Sequence, residues 1–147
     1  MMNLSHFYME WGGIYKIMKS ILFLISFLIT SSVFAEARVY FINLEDGDEV
    51  ESPFLIQFGL SEMGIAPAGI DRENTGHHHL LINVKDLDFS KPIPASKNHI
   101  HFGGGQTESL VELPPGDYRL QLVLGDMTHT PHTPPVVSRQ INITVKD

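Results

Sequence analysis

Two segments near the C-terminal end of the chain alternate strictly between apolar and polar side chains. The apolar positions are every second residue, and they are Tyr118, Leu120, Leu122 and Leu124 in the first segment and Ile141, Ile143 and Val145 in the second. Successive side chains of a β-strand point to opposite faces, so a period of two is the period of a strand. Each segment therefore predicts a strand with one face in a hydrophobic core and the other facing solvent.

Short apolar segments of the same kind recur earlier in the chain, separated by turn residues. They cover 38–44, 54–60, 77–84, 99–102 and 107–113. No segment after Ala35 has the period of a helix longer than one turn. About seven short strands with frequent turn signals are typical of a sandwich. The sequence therefore predicts an all-β fold, an immunoglobulin-like antiparallel β-sandwich.

Tyr118 follows a Pro-Pro-Gly-Asp turn at the start of the sixth predicted strand. This position resembles the tyrosine corner of immunoglobulin-like and fibronectin-like sandwiches, in which the tyrosine hydroxyl bonds back to the preceding connection. The alternative is an ordinary turn followed by a core tyrosine. We predict the corner, and we expect it at one end of the sandwich.

Residues 1–35 are predicted to be an N-terminal extension and signal peptide. Two lysines precede a short apolar run at 21–29, and small residues follow as far as Ala35. This is the layout of a signal peptide, and the apolar run is about half of the ~20 residues that a spanning helix needs. We predict cleavage after Ala35 or Ala37, a β-sandwich domain over 36–147, a periplasmic or secreted location and no stable membrane span after cleavage.

The charge and the cysteine content exclude several classes of function. The formal net charge is −7, which argues against a surface that binds nucleic acid phosphates. The chain has no cysteine, so disulfides, thiolate metal ligands and cysteine nucleophiles are excluded. The domain must therefore be stabilised by its core, or by its core together with a metal ion.

Seven of the 8 histidines fall in three short segments. The segments are His77-His78-His79, His99-Ile100-His101 and His129-Thr130-Pro131-His132. If the strands run alternately up and down, all three segments lie at the same end of the sandwich, opposite the tyrosine corner. The topology therefore predicts that histidines from distant parts of the chain converge.

Strand alternation sorts these histidines by face. His77 and His79 share one face, whereas His78 shares the other with Leu80 and Ile82. The second face is more apolar, so His78 is predicted to be packed in the core or hydrogen-bonded. By the same argument Ile100 faces the core and leaves the two histidines beside it on the outer face.

A pair of histidines two residues apart on a strand presents two imidazoles about 6–7 Å apart on one side. Neutral imidazole is a ligand for zinc and copper, and strands plus a loop can supply three or four nitrogens. We predict a copper or zinc ion as the cofactor. The predicted ligands are, in order of preference, His79, His101, His129 and His132, followed by His77 and His99. The alternative is that these rings only cap loops or bond to Asp126 and Glu108.

Three motifs resemble those of a family of small exported bacterial domains of unknown function. They are GHHHLLI at 76–82, HFGGGQTE at 101–108 and HxxHxPPV from His129 to Val136. The resemblance covers most of 38–145 and implies an exported β-sandwich without an established activity. Tyr118 stands where that family commonly has a histidine, so the resemblance implies no ligand at this position.

Three functions are consistent with the sequence. The first is a periplasmic metal-binding protein for trafficking, buffering or sensing of copper or zinc. The second is a metal-dependent enzyme, which needs an open coordination position and a general base such as Asp126 or Glu108. The third is a metal-free adhesion or binding module with cell-envelope components as partners. The sequence does not separate the first two, because both need the same ligands, and it leaves the enzyme question open.

Overall fold

The computed structural model describes residues 35–146. Within this range the chain forms nine β-strands and no helix. The strands are β1 Arg38–Phe41, β2 Asp48–Glu51, β3 Phe54–Ser61, β4 Gly64–Ile65, β5 Thr75–Ile82, β6 His99–His101, β7 Glu108–Val111, β8 Gly116–Gly125 and β9 Ile141–Lys146. The predicted all-β class is confirmed. The two strands beyond the predicted seven are β2 and β4, which are short and lie in segments rich in turn residues.

The nine strands form two sheets. The smaller sheet has the order β1-β3-β7 and is antiparallel throughout. The larger sheet has the order β2-β9-β8-β5-β4, and β6 also pairs with β5. The pairs β2–β9 and β4–β5 are parallel, so the larger sheet is mixed at its two edges, while its other pairs are antiparallel as predicted.

The main hydrophobic core lies between the two sheets. Leu120, Leu122, Ile141 and Ile143 of the larger sheet are each at most 2 % exposed, and Phe58 of the smaller sheet packs in the same cluster. These are residues that the alternation assigns to the inner face. β8 and β9, the two strands with the clearest period of two, pair with each other. Both bury the apolar face that the alternation predicts.

The outer face of the larger sheet is partly covered by the connection between β5 and β6. Ile93 of this connection packs with Leu81 and Val123 in a second, smaller apolar cluster. Leu81 lies on the same face of β5 as His77 and His79. Side chains on this face are therefore buried although they point away from the main core.

Tyr118 forms the predicted tyrosine corner. Its hydroxyl donates a hydrogen bond of 2.9 Å to the carbonyl of Pro114, in the turn before β8. Because Tyr118 is near the start of β8 and Gly125 is at its end, the corner and the Gly125 end of the sandwich are opposite each other. We call the Gly125 end the histidine end, since His77 pairs with Gly125 there.

The predicted signal peptide lies outside the described residues except for Ala35, so its cleavage and the domain boundary at residue 36 stay predictions. Among residues 35–146 no helix is long and apolar enough to cross a membrane.

Candidate metal centre

Strand β5 is an interior strand of the larger sheet and positions His77 and His79 on its outer face. It pairs with β8 along one side and with β6 along the other. In this register His77 is opposite Gly125, and His79 is opposite both Val123 and His101. Directly opposite residues on one face of a sheet are in side-chain contact. The pairing of β5 with β6 therefore brings His101 to His79.

The loop between β8 and β9 brings the fourth histidine. The Asp126 carboxylate caps this loop by accepting hydrogen bonds from the backbone N–H groups of Thr128, at 2.8 Å, and Thr130, at 2.9 Å. His129 adopts a left-handed backbone conformation with φ of 68°, which is uncommon for a residue other than glycine. Its carbonyl accepts a hydrogen bond from the N–H of Ile93, at 2.9 Å. The Asp126 cap within the loop and the hydrogen bond from Ile93 therefore fix the position of His129.

Four imidazole rings meet at this point, and we call His77, His79, His101 and His129 the histidine cluster. All six pairs of ring centroids are between 4.5 and 5.8 Å apart. The Nε2 atoms of His77 and His79 are 3.1 Å apart. One ring nitrogen from each of His77, His101 and His129 lies within 4.8 Å of the other two.

These distances are close to those of a metal site. A Zn–N bond of about 2.0–2.1 Å places the nitrogens of a tetrahedral site about 3.3 Å apart. The two Nε2 atoms of His77 and His79 already have this spacing. His77, His101 and His129 form a group of three whose ligand nitrogens lie within 4.8 Å of one another, and His79 adds its Nε2 beside that of His77.

The two buried rings of the cluster each have one nitrogen without a hydrogen-bond partner. His77 is 0 % exposed and His79 is 1 % exposed. Their Nε2 atoms face each other, and the Nδ1 atom of each ring is buried without a partner. A buried polar atom without a partner costs about 1–3 kcal/mol. The arrangement is therefore unfavourable for two imidazoles alone.

The environment keeps these imidazoles uncharged. Burial, followed by repulsion from His101 and His129, lowers the pKa of His77 to about 4. Burial and the three neighbouring rings lower the pKa of His79 to about 3. Burial and the nearby His129 also lower the pKa of His101. Since a metal ion binds the neutral ring, we expect loss of metal binding at a pH below the 6.5 of free imidazole.

Two glycines provide the space for these rings. A Cβ atom at Gly125 would lie 2.8 Å from Nε2 of His79, and one at Gly103 would lie 2.2 Å from Cε1 of His101. Heavy atoms that are not bonded do not approach so closely, so a side chain at either position would displace the ring. Sequence reasoning did not find this role, because it depends on which residues are opposite each other across the strands.

His78 faces the main core, as predicted. Its ring centroid lies 5.0 Å from that of Phe58, and its Nδ1 is 3.2 Å from the carbonyl of Gln106. Burial lowers the pKa of His78, and the hydrogen bond to Gln106 only partly opposes this effect. His78 is therefore a packed, hydrogen-bonded histidine on the face opposite the cluster.

The structure does not bring His99 or His132 into the cluster. His99 is opposite Leu81, two residues beyond the pairing of His79 with His101, and its Nδ1 is 2.9 Å from the Ser96 hydroxyl.

His132 lies beside Gly76, where its Nε2 would be 2.9 Å from a Cβ atom. That position is on the His78 face of β5, so β5 separates His132 from the cluster.

The carboxylates considered as partners of the histidines have other contacts. Asp126 accepts its hydrogen bonds from its own loop. Burial alone would raise the pKa of Asp126, but the hydrogen bonds from Thr128 and Thr130 outweigh it and the pKa is lowered. Glu108 accepts a hydrogen bond of 3.0 Å from the amide of Gln57. The described contacts therefore do not include the predicted alternative of imidazoles bonded to these two carboxylates.

One comparison with known proteins found a match. The model of the family described as "Domain of unknown function (DUF4399)" matches residues 56–146, which is more than half of the chain. This range contains all four residues of the histidine cluster. The searches of curated proteins and of solved structures found no match. The match agrees with the resemblance to a family of domains of unknown function that the motifs suggested.

Proposed function

Since this chain belongs to the DUF4399 family, whose description names no activity, we propose from its own geometry that it binds one transition-metal ion, zinc or copper, through His77, His79, His101 and His129. The observation that carries this proposal is the convergence of four rings, with centroids 4.5 to 5.8 Å apart, from β5, β6 and the loop after β8.

The energetics of the cluster support metal binding over a purely structural role. A core is more stable when polar atoms are paired or replaced by apolar groups. Here two buried imidazoles each have an unpartnered Nδ1, and burial, followed by the neighbouring rings, lowers their pKa values so that the rings are neutral. Without an ion, only one of the two facing Nε2 atoms can donate a hydrogen bond to the other, whereas an ion between them would bond to both. The ion would also connect three segments that are far apart in the sequence.

The same contacts make the two other hypotheses less suitable. A metal-dependent enzyme needs a general base near the ion, but the two carboxylates considered for this role accept hydrogen bonds from Thr128 and Gln57. An adhesion module would use exposed side chains, whereas His77 and His79 are at most 1 % exposed. Binding of a metal ion is the function that uses both buried rings.

Calorimetric titration of Zn(II) and Cu(II) into tag-free protein tests the proposal. We expect one ion per chain for the wild type and at least about a 100-fold loss of affinity in His79→Ala, because a buried ligand is removed. His99→Ala is the matched control, since His99 is opposite Leu81 and contacts Ser96, and it should bind as the wild type does. Equal affinities for the two variants, or no stoichiometric binding by the wild type, would contradict the proposal.

We also propose that the domain acts after export. The support is the predicted signal peptide over 1–35. N-terminal sequencing of protein from the cell-envelope fraction tests this. We expect a chain that begins at Glu36 or Arg38. A mature protein that retains the apolar run at 21–29 would contradict it.

A further inference from the structure

We propose that the histidine cluster is a transfer site, which keeps its ion on His77 and His79 while an acceptor replaces His101 and His129. This inference rests on the proposed metal binding and adds the fate of the ion. The acceptor class is a protein or small molecule that offers nitrogen or sulfur ligands.

The first argument is the difference in exposure across the cluster. His77 and His79 are at most 1 % exposed, whereas His129 is half-buried and His101 is exposed. An ion bound by all four rings is therefore covered on the side of β5 and reachable on the side of His101. A ligand that approaches from solvent meets His101 first.

The second argument is the position of the exposed ligand in the fold. Among the described strands β6 pairs only with β5, so β6 is an edge strand of three residues. Beyond it lies the Gly103-Gly104-Gly105 turn, and the His101 ring lies against Gly103, which has no side chain. No bulky group of this turn covers the ring. The His101 side chain can therefore move away from the ion while Ile100 and Phe102 beside it stay packed in the core.

His77 and His79 lie on an interior strand, whereas His101 lies on an edge strand. β5 has hydrogen-bonded neighbours on both sides, and its register with β8 runs from His77 to Ile82. Movement of His77 or His79 would disturb this interior strand. The two halves of the cluster therefore differ in exposure, and the buried pair also differs from His101 in lying on an interior strand.

The transfer step is a ligand substitution. A donor atom of the acceptor forms a bond to the ion as the bond from the His101 nitrogen breaks, and His129 is replaced in the same way. The ion keeps its oxidation state, and each released imidazole leaves as the neutral ring. Departure from His77 and His79 completes the transfer to the acceptor.

Stopped-flow release of Zn(II) from the loaded protein to a colorimetric chelator tests the inference. If the acceptor attacks the bound ion, the release rate of the wild type increases in proportion to the chelator concentration. His101→Ala should still bind one ion through the remaining three rings and release it about tenfold faster, because losses of affinity are mostly increases in dissociation rate.

The control and the contradicting results are separate from those of the titration. His99→Ala, on the same strand, should release Zn(II) at the wild-type rate. A wild-type rate that does not depend on chelator concentration, or His101→Ala protein that releases no faster than the wild type, would overturn the transfer site and leave metal binding intact. A wild type that takes up no ion would overturn the proposed function and the transfer site together.

Discussion

Replacing Gly125 with alanine is expected to weaken metal binding about 10- to 100-fold although it removes no ligand. The added methyl group would lie 2.8 Å from Nε2 and 3.1 Å from Cδ2 of His79. His79 is 1 % exposed, so its ring has little free space and must leave the position in which its Nε2 faces His77. Calorimetric titration of Zn(II) into Gly125→Ala protein measures the loss.

Gly104→Ala is the matched control for this substitution. It adds the same methyl group at the same end of the domain, but the nearest atoms there belong to the exposed Gln106 side chain, at 3.2 Å. We expect wild-type affinity for this variant. A folded Gly125→Ala protein that binds Zn(II) as tightly as Gly104→Ala would show that His79 is not a ligand in the position described.

Truncation of Leu122 to alanine is expected to lower the free energy of unfolding by about 2–5 kcal/mol. Leu122 is 0 % exposed and lies in the main core between the sheets. Its removal loses apolar contacts and leaves a cavity that interior strands cannot close. Urea denaturation in the presence of a metal chelator measures the effect on the metal-free domain.

Leu110→Ala is the corresponding surface control. Leu110 is also a leucine in a strand, but it is 68 % exposed, and substitutions of this kind usually change stability by less than about 0.5 kcal/mol. Similar losses for the two variants would contradict the assignment of Leu122 to the core.

The core and the general position of the histidines were predictable because they follow from local rules. Leu120 and Ile141 face the core since side chains alternate along a strand. His78 is separated from His77 and His79 for the same reason. The three histidine segments share one end because β6 and β8 both run antiparallel to β5, as an up-and-down order of strands predicts. Tyr118 was predictable because its hydrogen bond reaches only four residues back, to Pro114.

The membership of the cluster was only partly predictable. His77 was ranked below His132, yet His77 is in the cluster and His132 is on the opposite face of β5. The ranking required the register between β5 and its neighbours, which a single strand does not contain. His99 was grouped with His101 because they share a face, but only His101 is opposite His79.

The sequence by itself determined the all-β fold, the inner and outer faces of its strands and the meeting of the histidine segments at one end. These features depend on the period of two and on the order of strands, and both are properties of the linear chain. The tertiary structure alone decided which rings contact each other, which are buried and which glycines make room for them. Those properties depend on strand register and on the connection that carries Ile93 over the outer face, because distances of a few ångströms between distant segments are set by packing.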